Sequence, residues 1–237
     1  MSEAPDLPRS MPLSTPPTSG GRSGGIAALA RLGEVLAGPL PGHAAQARYE
    51  PELAFGRHGG PAPRSARAAA VAVLLYERDG VCHVPLTVRP AHLANHAGQI
   101  SLPGGLVEPD ESTADAAVRE LEEELGVEAS SVTLLGSLSP LYLYVTDFLI
   151  TPHVAVVDSP PTFRPSDAEV AEVIEMPLHT LLDDQSPRRE KHGFRGLEFY
   201  APALCVSGHE VWGATAMILA ELAAAVVAAQ HASPAEQ

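Results

Sequence analysis

The chain has 237 residues, 45% of them hydrophobic, which is enough for one sizeable domain with tails. Its formal net charge of −14 at pH 7 argues against a general DNA- or RNA-binding protein, because such proteins rely on basic patches. The only cysteines, Cys82 and Cys205, have no CxxC spacing. We therefore expect neither a zinc site nor a disulfide framework. We predict that both cysteines are buried and act as small apolar residues.

The N-terminal quarter of the chain is predicted to lie outside the main domain. Residues 1–24 are rich in Pro, Ser and Gly and indicate a disordered tail. Residues 25–64 predict a short helix followed by an extended arm, because the apolar pattern that ends near residue 37 gives way to Pro and Gly. The domain itself is expected over 65–229, followed by a C-terminal tail, 230–237.

Several strands are predicted within the domain. Ala68–Tyr76 and Val81–Val88 form a hairpin around Asp79-Gly80, a strong turn signal. The loop from His92 to Gly105 then leads into a helix. Three further segments have strand character: Val132–Leu138, Phe148–Val157 and Val170–Glu175. Leu141–Tyr144, which lies between the first two of these, indicates either apolar packing or the wall of a substrate pocket.

Towards the C-terminus the pattern becomes less regular. A short helix is predicted over Leu178–Asp183, and Phe194–Ala203 indicates a strand pair or an irregular excursion. Trp212–Ala229 is predicted as a helix, with Trp212 as a core anchor or a stacking surface. Glu221 interrupts the apolar run of this helix, so no segment reaches the ~18 apolar residues that a membrane span needs. With no basic-then-apolar leader at the start, we expect a cytoplasmic protein without membrane contact.

The most informative helix is predicted between Ser112 and Leu125. Ser112 or Thr113 can cap it, Asp115 adds a carboxylate to its first turn, and Gly126 suits a left-handed stop. Apolar residues at spacings of three and four predict one buried stripe, formed by Ala114, Ala117, Val118, Leu121 and Leu125.

A second face of this helix carries Glu120, Glu123 and Glu124. Such a cluster is usually a solvated acidic surface. Here the tight loop Pro103-Gly104-Gly105 precedes the helix, and glycine lets backbone carbonyls approach an ion. Carboxylates with the Gly105 carbonyl form a hard oxygen site suited to Mg²⁺ or Mn²⁺.

The same stretch fits the pattern G-x5-E-x7-R-E-U-x-E-E-x-G-U, where U is a bulky aliphatic residue. The matching positions are Gly105, Glu111, Arg119, Glu120, Leu121, Glu123, Glu124, Gly126 and Val127. This is the Nudix box, and the chain resembles a Nudix hydrolase. The resemblance implies an α/β fold, the Nudix α/β/α sandwich with a mixed β-sheet.

The resemblance also assigns roles to residues of the box. Glu120 and Glu124 are the first-choice metal ligands, and Glu123 is the next candidate. Glu111 and Arg119 would brace the loop against the helix. The implied reaction is hydrolysis of a nucleoside diphosphate linked to another group by a metal-activated water.

The catalytic base that accepts a proton from this water is left open by the sequence. Glu123 is the candidate within the box, and Glu120 is a further catalytic candidate there. Glu169 is the candidate on a later loop, where an ordinary surface charge is the alternative.

Residues 86–105 narrow the substrate class. They are similar to the extra motif of coenzyme A diphosphatases, L-L-T-x-R-[SA]-x3-R-x3-G-x3-F-P-G-G, matching it at Leu86, Thr87, Arg89, Gly98, Pro103, Gly104 and Gly105. The resemblance makes five residues candidate substrate contacts: Arg89, His96, Gly98, Gln99 and Gly104. Four positions depart from the motif: Pro85, Pro90, Ala94 and Leu102. Ala94 matters most, since alanine cannot replace an arginine that contacts phosphate.

Three functional hypotheses follow. The first is a Mg²⁺- or Mn²⁺-dependent hydrolase of coenzyme A, or of a derivative, that yields 3′,5′-ADP and 4′-phosphopantetheine. The second is hydrolysis of ADP-ribose, NADH or another dinucleotide. The third is a non-catalytic Nudix-fold module that binds a nucleotide. The expected partner is a small-molecule nucleotide, and the family resemblance is compatible with a homodimer.

Overall fold

The computed structural model describes residues 31–52, 61–92, 97–182, 187–194 and 196–232. The predicted tail over 1–24 lies outside the described residues, as does the start of the predicted N-terminal helix. Residues 31–36 are helical and form α1, as the sequence indicates.

The extended arm predicted after α1 is wrong in part. His43–Gln46 form a short helix, α2, and Ala47–Tyr49 continue as a 3₁₀ turn. The reason is a long-range contact: the buried Glu221 carboxylate accepts hydrogen bonds from Gly42 N at 3.1 Å and from Gln46 Nε2 at 2.9 Å. A buried carboxylate must be satisfied, so it holds this segment against the domain.

Within the part of the chain that the structure describes, the main sheet has eight strands of mixed direction. They are β1 (Arg67–Arg78), β2 (Val81–Val88), β3 (Ile100–Ser101), β4 (Gly104–Leu106), β5 (Thr133–Ser137), β6 (Leu141–Leu143), β7 (Phe148–Val156) and β8 (Glu172–Pro177). Their order is β3-β2-β1-β7-β5, with β4 beside β1, β6 beside β7 and β8 beside β2. β1 and β7 are parallel, whereas the other pairs are antiparallel.

The β1–β2 hairpin confirms its turn signal. Asp79 and Gly80 have φ values of 53° and 78°, and two consecutive positive values match the turn that suits twisted strands. Leu141 is fully buried in β6, so apolar packing explains it, while Tyr144 is exposed.

A second, three-stranded sheet differs from the sequence prediction for this region. It consists of β9 (Arg188–Phe194), β10 (Leu197–Val206) and β11 (His209–Trp212) in the order β11-β10-β9. The remaining helices are α3 (Thr113–Leu125), α4 (His179–Leu182) and α5 (Gly213–His231). Trp212 therefore ends a strand, with φ −140° and ψ 178°, and α5 begins one residue after it.

Side chains of β1 point alternately to the two faces of the sheet, as the predicted α/β/α sandwich requires. Because successive side chains of a strand point to opposite faces, Val73 and Leu75 join a core that includes α1 and α5. Leu74 and Tyr76 join a second core formed with α3. The strand that carries these residues is thus covered by helices on both faces.

Helix α5 is apolar enough, over an 18-residue window of mean hydropathy 1.6, to cross a membrane by length and composition. Most of this window is buried inside the protein, as in the core helix of a folded domain. The fully buried Glu221 near its centre binds Gly42, Gln46 and Ser139.

The prediction for the cysteines is wrong for Cys205, which is exposed. It lies on β10 opposite Glu210 of β11, near the solvent-facing turn that joins the two strands. Cys82 is half-buried, and burial raises the pKa of its thiol to about 11, which keeps the thiol protonated and unreactive.

Replacing the buried carboxylate of α5 tests its structural role. Glu221→Ala leaves the donors of Gly42, Gln46 and Ser139 without their acceptor, so we expect a loss of about 2–4 kcal/mol in the free energy of unfolding. The measurement is urea unfolding followed by circular dichroism. Glu198→Ala, which removes an exposed partner of Lys191, is the control and should change stability by less than ~1 kcal/mol. Equal stability of the two variants would contradict this role.

Candidate metal and substrate site

Helix α3 has both of its predicted ends. Ser112 is the N-cap, and its hydroxyl accepts a hydrogen bond from Asp115 N at 3.1 Å. Gly126 closes the helix with φ 67°, and a Cβ at this position would lie 2.8 Å from Arg164 Cβ. Glycine is therefore required here both by conformation and by packing.

The buried stripe of α3 is rotated relative to its prediction. Ala117, Leu121 and Leu125 are buried as expected, but Ala114 and Val118 are only half-buried. Ala116 and Glu124 are buried instead, with Glu124 only 3% exposed. The physical reason is that the helix packs against β4 as well as β1, which brings the Glu124 face inward.

Two glycines of β4 let this strand lie close to β1 on one side and to the helix on the other. A Cβ on Gly104, whose φ is 159°, would lie 2.6 Å from Val71 Cγ1. A Cβ on Gly105 would collide with the Glu120 carboxylate, whose Cδ lies 2.6 Å from that position. Gly104 N also points at Glu124 Oε1 at 3.5 Å. The backbone of β4 and two carboxylates of α3 thus share one small volume.

Arg119 braces the loop against the helix. Its Nε and Nη2 donate to the two oxygens of Glu111 at 2.8 and 3.1 Å. Nη2 also donates to Leu106 O at 3.1 Å, and Nη1 donates to Glu120 Oε1 at 2.9 Å. The hydrogen bonds from Arg119 hold the pKa of Glu111 below its usual range. This forked contact needs a guanidinium.

Glu169, which belongs to a later loop, lies close to the Glu120 and Glu124 carboxylates. Arg164 N donates to Leu125 O at 2.8 Å, and Ser166 N donates to Glu124 O at 2.9 Å. These bonds satisfy carbonyls at the end of α3 that have no partner within the helix. They dock the loop so that carboxylate oxygens of Glu120, Glu124 and Glu169 lie within 4.8 Å of one another.

Glu123 lies apart from this carboxylate cluster of Glu120, Glu124 and Glu169. Its side chain is 58% exposed, and Oε2 accepts a hydrogen bond from Arg119 Nη1 at 3.0 Å. Among the described residues, the group that converges therefore contains the loop residue Glu169 in place of Glu123.

The electrostatics of the cluster favour a cation. Burial is the main cause that raises the pKa of Glu124 to about 8, and the charges of Glu120 and Glu169 add to it. Burial also raises the pKa of Glu120, although Arg119 opposes this shift. Carboxylates that repel one another in a partly buried place fit a hard divalent cation such as Mg²⁺ or Mn²⁺, which would return them to the charged form.

Arg89 lies next to the cluster, since its charge lowers the pKa of Glu124. Its backbone pairs with the turn at Gly98–Gln99: Arg89 N donates to Gln99 O, and Gly98 N donates to Arg89 O, both at 3.0 Å. Arg89 Nε is buried and has no hydrogen-bond partner among the described residues. An unpaired guanidinium nitrogen beside a cation site is suited to an anionic ligand. His96 and Ala94 lie outside the described residues.

The role of His153 was not predicted from the sequence. This histidine of β7 is 9% exposed, and its Nε2 lies 3.0 Å from Thr113 Oγ1 at the start of α3. Burial lowers the pKa of His153, so its ring is neutral and tethers α3 to the sheet. A lone histidine in an apolar strand has no pattern from which this contact could be predicted.

A mixed sheet between helices, with a carboxylate cluster where the glycines of β4 meet a helix, defines the fold and site of the Nudix class. Residues 66–195, more than half of the chain, match the family model of the NUDIX domain. The chain belongs to the Nudix hydrolase family.

Curated relatives agree with this membership. The Nudix hydrolase NudL of Shigella flexneri, described as uncharacterized, is 36% identical over 169 residues, which cover 68% of this chain and 83% of the relative. NudL of Yersinia pestis is 37% identical over 139 residues, covering 58% of this chain and 69% of the relative.

A solved structure supports the fold. The Nudix hydrolase RenU from M. Smegmatis aligns with a TM-score of 0.50 at 19% identity, covering 79% of this chain and 98% of RenU. Fold and family together make the protein a Nudix hydrolase, and enzymes of this family generally use divalent metals.

Removing the charge of Glu124 should stabilise the metal-free protein at high pH. A raised folded-state pKa means that stability is fully present below the unfolded value of about 4.5 and is lost as pH rises towards about 8. We expect the stability of Glu124→Gln relative to the wild type, measured in EDTA, to be greater at pH 9 than at pH 5. The expected increase is on the order of 2 kcal/mol in the free energy of unfolding, or roughly 4–8 °C in Tm. Calorimetry measures this, with the exposed Glu122→Gln as control. A Tm difference that is the same at both pH values would contradict the assignment.

Replacing Arg119 by lysine tests whether the shape of its guanidinium group matters in addition to its charge. Arg119→Lys keeps the positive charge but cannot contact both oxygens of Glu111 and Leu106 O together. We expect metal-dependent turnover to fall about 10–100-fold, the usual cost of losing a group that orients metal ligands. Steady-state kinetics at saturating Mg²⁺ would measure the loss. Turnover within twofold of the wild type would show that charge alone suffices.

Proposed function

We propose that this hydrolase cleaves the diphosphate bond of a nucleoside diphosphate linked to another group, with coenzyme A or its acyl derivatives as the favoured substrate. The observation that carries the proposal is the convergence of Glu120, Glu124 and Glu169 beside the glycines of β4. The products from coenzyme A would be 3′,5′-ADP and 4′-phosphopantetheine.

Each residue of the site receives a role in this proposal. Glu120 and Glu124 would hold Mg²⁺ or Mn²⁺, together with the Gly105 carbonyl. When bound, the metal neutralises phosphate oxygens and lowers the pKa of a water. Arg89, whose Nε has no hydrogen-bond partner among the described residues, would contact the diphosphate.

We assign the base to Glu169 rather than Glu123. Glu169 is exposed and its carboxylate belongs to the cluster, so it is accessible to a water that attacks phosphorus. The carboxylate of Glu123 is engaged with Arg119, which favours a bracing role. Glu120 belongs to the cluster too, but its hydrogen bond from Arg119 suits a fixed ligand better than a proton acceptor.

The preference for coenzyme A depends on the motif in residues 86–105. Leu86, Thr87, Arg89, Gly98 and the Pro103–Gly105 turn match the coenzyme A diphosphatase pattern. Ala94 departs from it and removes one expected phosphate contact. ADP-ribose and NADH therefore remain the alternative substrates, since the same cluster would cleave their diphosphates. We also propose a cytoplasmic location, as the sequence predicts.

A substrate panel tests the proposal. Coenzyme A, acetyl-coenzyme A, ADP-ribose and NADH are incubated with enzyme and Mg²⁺ or Mn²⁺, and nucleotide products are quantified by chromatography. Coenzyme A should be cleaved fastest, and Glu124→Gln should lower turnover on the order of 10³-fold, more than the loss of a supporting group. Glu122→Gln on the same helix is the matched control. Faster cleavage of ADP-ribose or NADH would overturn the substrate assignment.

The base assignment has a separate test. Glu169→Gln should lower kcat by about 100-fold or more and leave KM nearly unchanged, as expected when a general base is lost. Glu123→Gln should cost less than about tenfold, because it weakens only one hydrogen bond to Arg119. The measurement is kcat and KM at several pH values. A larger loss for Glu123→Gln than for Glu169→Gln would reverse the assignment.

A further inference from the structure

A pocket outside the carboxylate cluster lies between the Gly98–Gln99 turn and the three-stranded sheet. It is a polar recess of about 470 Å³. The residues that shape it are Gly98, Gln99, His192, His209, Glu210 and Trp212. Neither the Nudix box nor the metal site explains these residues of the second sheet.

One wall of the pocket is aromatic. The rings of His192 and Trp212 stack with centroids 4.0 Å apart and planes inclined by 23°. Phe199, which is buried, supports both rings at about 6 Å. Burial lowers the pKa of His192, so its ring is uncharged, and its Nε2 has no hydrogen-bond partner among the described residues. A flat aromatic wall suits stacking by a planar ring.

Backbone hydrogen bonds connect the edge of the pocket to Arg89. Gln99 and Gly98, at its edge, pair through their backbones with Arg89, whose charge acts on Glu124. On the other side, Thr215 Oγ1 donates to Ile100 O at 3.1 Å in a buried contact. This bond fixes the start of α5, and with it Trp212, onto β3. A ligand bound to Arg89 would therefore be separated from the pocket only by the backbone pairing of Arg89 with Gly98 and Gln99.

The charges of the pocket limit what it can bind. Glu210 supplies an exposed carboxylate, and the other ionisable lining residues are His192, which is neutral, and His209, which lies 3.7 Å from Glu172. A carboxylate repels phosphate and favours a ligand that donates hydrogen bonds. The lining therefore suits an uncharged planar ring with an exocyclic amine.

We propose that this pocket binds the adenine ring of the substrate, with the Glu210 carboxylate accepting a hydrogen bond from the exocyclic amine. The His192–Trp212 pair provides the flat wall. The assignment rests on the proposed function, because it places the diphosphate of the same molecule at the carboxylate cluster. Coenzyme A, ADP-ribose and NADH all carry adenine, so the assignment holds for each of these substrates.

Equilibrium binding of two probes tests the pocket without turnover. Isothermal titration measures, with Mg²⁺ present, 5′-AMP and 5′-IMP, which differ in that AMP has a 6-amino group where IMP has a 6-oxo group and an N1–H. The wild type should bind AMP about tenfold more tightly than IMP, the effect of one charge-assisted hydrogen bond. Glu210→Gln should reduce this preference to about twofold or less. Glu198→Gln, an exposed position on the same sheet, should keep it.

Three results would overturn the assignment: no binding of AMP at millimolar concentration, equal binding of AMP and IMP by the wild type, or an unchanged preference in Glu210→Gln. Tighter binding of both probes to Glu210→Gln would indicate that a phosphate occupies the pocket, which also contradicts it. Trp212→Phe, which shortens the wall, should weaken AMP and IMP equally. Failure of the proposed function appears separately, as hydrolysis that does not depend on Glu124.

Discussion

The repulsion among Glu120, Glu124 and Glu169 is the constraint on which the site depends. Like charges within 4.8 Å of one another, with Glu124 nearly excluded from solvent, cost free energy in a metal-free protein. The fold maintains this arrangement through Arg119 on one side and the backbone bonds of Arg164 and Ser166 on the other. Such a locally unfavourable cluster is a sign of function, because a cation or an anionic substrate with its cation relieves it.

The glycines of β4 are part of the same constraint. Gly105 leaves room for the Glu120 carboxylate, and Gly104 lies against Val71 of β1. Any side chain at these two positions would displace the strand or the Glu120 carboxylate. The Nudix box is therefore also a packing arrangement, in which the glycines of β4, Arg119 and the glutamates of α3 share one small volume.

The parts of the structure that local sequence determines were predictable. The turn at Asp79-Gly80, the cap at Ser112 and the stop at Gly126 follow from side-chain chemistry within a few residues. Features that depend on distant contacts were not. The docking of Glu169 requires backbone bonds to the end of α3, and α2 requires a carboxylate of α5, 175 residues from Gln46. No local pattern reports such contacts.

Direct measurement of Mn²⁺ affinity tests the central claim most sharply. Electron paramagnetic resonance can count free Mn²⁺ in titrations of the wild type, Glu124→Gln and Glu123→Gln. We expect saturable binding by the wild type, a loss of at least about tenfold in affinity for Glu124→Gln, and a change of less than about threefold for Glu123→Gln. Equal losses in both variants, or no saturable binding by the wild type, would contradict a metal site built by Glu120 and Glu124.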